Sequence, residues 1–110
     1  MRFITVEDFY EQAAAIPRLT REEEVRCAQA MRDGDTDARA RLIEGYLPMV
    51  AAHIRRSGDL QSLALMYSCC DTLEKGVGKF NFLQEGETFS HHLSWRLRQC
   101  TTRYIADRRT

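Results

Sequence analysis

Trp95, Gln99, Thr102 and three arginines, Arg96, Arg98 and Arg103, fall within nine positions of the stretch FSHHLSWRLRQCTTRYIADRR, residues 89–109. An indole plane can stack on a nucleic-acid base, worth about 1–3 kcal/mol per base. Guanidinium groups pair with phosphate, and amides and hydroxyls can read base edges. On a wheel turning about 100° per residue, Phe89, Leu93, Leu97, Cys100 and Tyr104 fall together and must face a core. His92, Arg96, Gln99 and Arg103 fall opposite or beside them in one stripe, flanked by Trp95 and Thr102. The pattern admits two readings: a nucleic-acid face, or a solvated face with the tryptophan lying over the arginine stems of its neighbours.

Other chemistries find little material. The chain has no Gly-rich phosphate loop, no nucleophile beside a base, and no paired carboxylates converging on one face. The expectation is a protein without catalysis or cofactor. Glu22, Glu23 and Glu24 read as charge favoured at a helix start, and His53 as a histidine at the edge of the core. Cys27, Cys69, Cys70 and Cys100 form no CxxC pair, and His53, His91 and His92 are scattered. No metal site is expected, and the thiols read as reduced, buried or idle.

The elements that must hold such a face are helices. Strand alternation and hairpin turns are nearly absent. Residues 6–16 read as a short amphipathic helix stopped at Pro17. Thr20 and Glu23 form a capping box for the next helix, which carries Val25, Ala28 and Met31 inward with Cys27 nearby and ends at Asp33-Gly34. Asp35 or Thr36 caps a long apolar segment running to Ile54, which Pro48 must kink or restart. A further helix spans about residues 60–79, with Leu63, Met66, Cys70, Leu73 and Val77 on its buried side. FNFLQEGET is a connector to the last helix. The fold class is all-α, one compact bundle of about five helices, as 110 residues with 44% apolar composition allow.

Net charge is zero, so no global field advertises a polyanion partner; the distribution is more telling. From Phe89 onward five arginines face the single acid Asp107. No apolar run is long enough to cross a bilayer and the first residues lack a signal-peptide pattern, so the expected location is the cytoplasm, away from membranes.

Three stretches, in order, resemble domain two of bacterial RNA polymerase sigma factors of the sigma-seventy family, with the segment before it. LTREEEVRCAQAMRDGDTDARARLIEGYLPMV resembles the family's conserved leading segment. EKGVGKF, residues 74–80, resembles the end of its polymerase-docking helix, and FSHHLSWRLRQCTTRYIAD its promoter-melting helix. The resemblance covers about residues 7–110. It divides the chain into an N-terminal helix (1–18), the leading segment (19–58), a polymerase-docking helix (59–80) and a promoter-melting helix (86–109).

The resemblance implies docking on the clamp of core RNA polymerase and capture of the non-template single strand of a promoter minus-ten element. By position, Trp95 is similar to a wedge residue stacking at the upstream edge of melted DNA. His92 falls where the family usually has Tyr, next to a flipped adenine. Gln99 and Thr102 fall on positions reading the upstream base pair, and Arg98 and Arg103 on backbone-contacting ones. Arg96 replaces the second Trp of the usual pair and adds a phosphate contact. Leu65, Met66, Tyr67, Cys69 and Glu74 fall on the polymerase side.

The departures lie there too. Ala64-Leu65-Met66-Tyr67-Ser68-Cys69 stands where the family has Asp-Leu-Ile-Gln-Glu-Gly, losing two carboxylates and an amide. An alternative is therefore a degenerate sigma-like domain kept for protein binding, a regulator or partner subunit, with an anti-sigma protein as a further partner. The sequence stops at Thr110, before the family's spacer-reading and minus-thirty-five-reading domains, as a domain cut from a longer protein or a stand-alone member.

Overall fold

In the computed structural model, residues 3–108 are described, and six α-helices carry them. Thr5 caps α1 (Val6–Ala14), its hydroxyl accepting the Asp8 amide at 3.0 Å. α2 (Arg21–Arg32) starts with the full capping box. The Glu23 amide donates to the Thr20 hydroxyl at 3.1 Å, and the Thr20 amide to the Glu23 carboxylate at 2.9 Å. Two orphan donors of the first turn are thereby satisfied. Those bonds also hold the Glu23 carboxyl below its ordinary value, the backbone bond from Thr20 leading.

Gly34 ends this segment at φ +96°, a left-handed conformation that suits glycine. Asp35, rather than Thr36, then caps α3 (Thr36–Gly45), accepting the amides of Asp37 and Ala38. Pro48 restarts the long apolar segment instead of kinking it. α3 closes at Tyr46, and α4 (Leu47–Arg55) opens there with the proline in its first turn, where a missing N–H costs nothing. The expected five helices are present, and the third is two. At this corner a Cβ on Gly45 would lie 2.7 Å from Leu19 Cδ1, so a larger residue there would have to displace the Leu19 side chain that packs over the α3 end.

A 3-10 turn, Gly58–Leu60, leads to α5 (Leu63–Lys79), capped by Ser62. The helix expected from about residue 60 thus starts later, because that turn takes the first residues. α6 (Phe89–Arg108) follows the connector; its expected end at Arg109 lies outside the described residues, as do Met1 and Arg2.

One apolar core joins all six helices. Phe9, Leu42, Val50, Ile54, Leu73 and Leu93 are fully buried, and no polar side chain is buried with them among the described residues. α5 runs through the middle, packed on α3, α4 and α6. Its buried face is Leu65, Met66, Cys69, Leu73, Gly76 and Val77, with Leu63 and Cys70 only at the margin. This corrects the expected stripe, which paired Met66 with Leu63 and Cys70. Neighbours on three sides leave α5 a wide inner face, broader than one row of residues.

An aromatic cluster then sets the start of α6. Phe80, Phe82 and Phe89 meet with ring centroids 4.8–5.3 Å apart, and Tyr46 packs edge-on against Phe89 at 4.7 Å. Tyr46 also donates its hydroxyl to the Glu24 carboxylate. Burial, with that acceptor, pushes the phenol well above its ordinary value. The α3–α4 corner, α2 and α6 are thereby tied at one point.

Candidate nucleic-acid interface

α6 is anchored through its first half. Phe89, Leu93 and Leu97 are buried; beyond them Cys100 and Tyr104 are only partly covered. Two polar contacts fix the second half. His53 Nε2 and Thr101 Oγ1 lie 2.7 Å apart, joining α4 to α6, and Tyr104 and Ser62 share a hydroxyl hydrogen bond at 3.0 Å. His53 is half-buried, and burial, aided by Arg56 and Arg98, pulls its pKa below the ordinary value. The neutral imidazole is therefore favoured at this joint.

With the helix so oriented, its outer residues fall into three groups. His92 turns toward the aromatic cluster, its ring 5.1 Å from Phe80 and only 22% of its side chain exposed. Its Nδ1 lies 3.9 Å from Glu87, an ion pair whenever the ring is protonated. Arg96, Gln99 and Arg103 border a groove of about 240 Å³ between α5 and α6, faced by Ser68, Asp71 and Thr72. Trp95, Arg98 and Thr102 form the outward ridge, all exposed. The Thr102 hydroxyl donates to the Arg98 carbonyl at 3.0 Å, leaving its oxygen free to accept.

Trp95 is 50% exposed, while every phenylalanine among the described residues is buried or half-buried. Guanidinium groups lie over the rings of Tyr10 and Tyr104; among the described residues none lies over Trp95. The open half of its π face thus has no cation covering it. Arg98 and Gln99, three and four residues on, are its neighbours on the helix surface.

The polymerase-side residues are split more sharply. Leu65, Met66 and Cys69 are 0% exposed, so their side chains belong to the core and present nothing to a partner. Tyr67 and Glu74 are on the surface, Tyr67 at 45% exposure with its hydroxyl donating to the Phe3 carbonyl at 3.3 Å. The outward face of α5 is Ala64, Tyr67, Asp71, Glu74 and Lys75, and a shallow recess beside it is lined by Phe3, Tyr67, Cys70, Asp71 and Glu74.

Two features escaped the residue-by-residue reading. Asp71, pairing with Lys75 at 2.9 Å, forms one wall of the groove. Cys100 opens on the same groove, while Cys69 is buried on the core face of α5. Only the placement of Cys100 on the core side of α6 hinted at the second. Among the described residues, no helix is long and apolar enough to cross a membrane.

Fold and surface define the class: an all-helical domain whose terminal helix carries an exposed tryptophan among arginines. The description "Sigma-70 factor, region 1.2" matches residues 6–37, covering α1, α2 and the turn into α3. An RNA polymerase sigma factor SigA of Clostridium acetobutylicum is 35% identical over 101 residues, 90% of this chain and 26% of that protein. The SigA of Listeria monocytogenes is 33% identical over the same share of this chain and 27% of its own length. That of a Bacillus species is 32% identical, again over 90% of this chain and 26% of the relative. The chain belongs to the sigma-70 family. It spans about a quarter of the length of these relatives.

Proposed function

We propose that this chain is a sigma-type initiation module. The surface of α5 docks on the clamp of core RNA polymerase, and the outer ridge of α6 holds the non-template strand of a promoter minus-ten element. The observation that carries this reading is Trp95: a large aromatic, half in solvent, on a helix that buries Phe89, Leu93 and Leu97. An exposed indole gains by stacking on an extruded base, about 1–3 kcal/mol. Arg98 and Arg103 flank it for phosphates, and Gln99 and Thr102 offer an amide and a hydroxyl oxygen for base edges. Arg96, at the groove, extends the cationic border. His92, packed on Phe80, supports the upstream side of that surface more than it reaches into it.

A second reading, a sigma-like domain kept for protein binding, draws on α5. Its outer face offers Tyr67 beside a recess lined by Phe3, Cys70, Asp71 and Glu74, and has Ala64 and Ser68 where the family resemblance implies carboxylates.

Trp95 is the chain's one tryptophan, so its fluorescence separates the two readings. Titrating the free protein with a minus-ten-like single strand should quench the emission, and a duplex of the same length should quench it less. Binding with unchanged emission would place the strand elsewhere. A chain that binds core polymerase and no strand, alone or in that complex, is the protein-binding reading.

A further inference from the structure

The groove between α5 and α6 brings charges of both signs onto two facing walls. Asp71 stands on the α5 side, and Arg96, Arg103 and Asp107 stand on the α6 side. Two carboxylates thus offset two guanidinium groups, which disfavours a bare phosphate and suits a neutral group carrying both donors and acceptors. Cys100 and the Tyr104 ring, partly buried against the core, give the groove an apolar floor. Its volume of about 240 Å³ suits one planar ring system. Pockets for larger organic ligands run to about 300–1,000 Å³.

One group on each wall has binding capacity that the fold leaves unused. The guanidinium groups of Arg21, Arg39 and Arg41 donate to backbone carbonyls or to a carboxylate. Among the described residues Arg96 has no such acceptor. Its stem reaches toward α5, with Cδ 4.0 Å from where a Cβ on Gly76 would be. Across the groove, Asp71 pairs with Lys75 through Oδ2 at 2.9 Å. A carboxylate has about four lone-pair sites, so Asp71 can accept further bonds. The pair with Lys75 is exposed and competes only weakly with another partner.

We propose, on the reading of α6 as the strand-holding helix, that this groove takes one extruded guanine of the bound strand. Guanine alone among the DNA bases sets N1–H and N2 amine donors on one edge and O6 and N7 acceptors on the next. The donors meet the Asp71 carboxylate on α5, and the acceptors meet the fork of Arg96 on α6, a bidentate pairing on each wall. Arg103, exposed beside them, is left for a phosphate. Arg96 stands where the family resemblance has a second tryptophan, so the guanine preference comes from this chain's own departure from that pattern.

The test titrates the free chain with single strands of adenine and thymine, each carrying one guanine moved through successive positions, while Trp95 emission is followed. At one position guanine should tighten binding about tenfold over adenine, the discrimination of a good bidentate pair. Hypoxanthine at that position, lacking the 2-amino group, should recover only part of the gain. Asp71→Ala should abolish the ratio of guanine to adenine affinity, whatever it does to the affinities themselves, and Arg96→Lys, which keeps the charge and loses the fork, should lower it. Asp59→Ala, an equal change of charge at an exposed site away from the groove, should preserve the ratio. Strands that quench Trp95 with one affinity wherever guanine stands would overturn the groove proposal and leave the strand-holding reading intact. A guanine preference that survives Asp71→Ala would overturn it too, and no quenching by any strand would overturn both.

Discussion

α5 and α6 lie side by side and face the solvent in different ways. α5 buries six of its seventeen residues and α6 three of its twenty, all before Cys100. A helix surrounded on three sides has one narrow ridge left for a partner. A helix held by its first half can present a long outer face without exposing the core. The difference shows why resemblance by position serves the two helices unequally. Matching residues on α6 lands mostly on surface, His92 excepted, whereas matching them on α5 lands largely on side chains that the fold itself uses.

Replacing one residue from each side of α5 tests that division, with the largest effect expected of any single change here. Leu65→Ala should destabilise the fold by about 2–5 kcal/mol, the usual loss for a large core aliphatic. Tyr67→Ala should stay within about 0.5 kcal/mol of the parent in thermal or denaturant unfolding, as surface changes do. Its effect should appear as weaker binding to core polymerase. Equal stability losses would break the comparison, and so would an unaffected Leu65→Ala.

The missing carboxylates sharpen it on the partner side. Ala64 is exposed and Ser68 half-buried at the groove, so Ala64→Asp with Ser68→Glu sets two carboxylates along the α5 surface. Each charge-assisted hydrogen bond regained is worth about 1.5–3 kcal/mol, so affinity for core enzyme should rise clearly. No gain, or a loss, would mean that polymerase meets another face of the domain.

A smaller effect should come from the α4–α6 joint. His53 has its folded pKa below the ordinary 6.5, so the unfolded chain takes up that proton first as pH falls. Stability from this residue is complete above about 6.5 and is lost as pH falls through the folded value. His53→Gln, which keeps a partner for Thr101, should flatten the acid slope of the melting temperature. An unchanged slope would assign it to other groups.

Much of this architecture was legible from local chemistry. Thr20 with Glu23, Asp35, Gly34 and Pro48 each specify a cap, a left-handed turn or a restart within a few residues, and such rules need no tertiary knowledge. The face of α6 was legible for a similar reason: Phe89, Leu93 and Leu97 fix its orientation, and Trp95 is turned out as a consequence. The face of α5 was not. Leu63, Leu65, Met66, Cys69 and Cys70 offer two overlapping stripes, and packing against α3, α4 and α6 chose between them. His92 shows a third case, drawn from the open stripe by Phe80, which lies outside its own helix.

The central claim is that Trp95 stands outside the core because its partner is a base. Trp95→Ala should be compared with the parent in two measurements on the same preparations: thermal unfolding, and binding to a minus-ten-like single strand with core polymerase present. The account predicts nearly unchanged stability and an affinity loss of about 1–3 kcal/mol, with the salt dependence of binding little altered because no phosphate contact is removed. A variant that loses about 3–5 kcal/mol of stability, as a buried aromatic would, and keeps its affinity for the strand would contradict it.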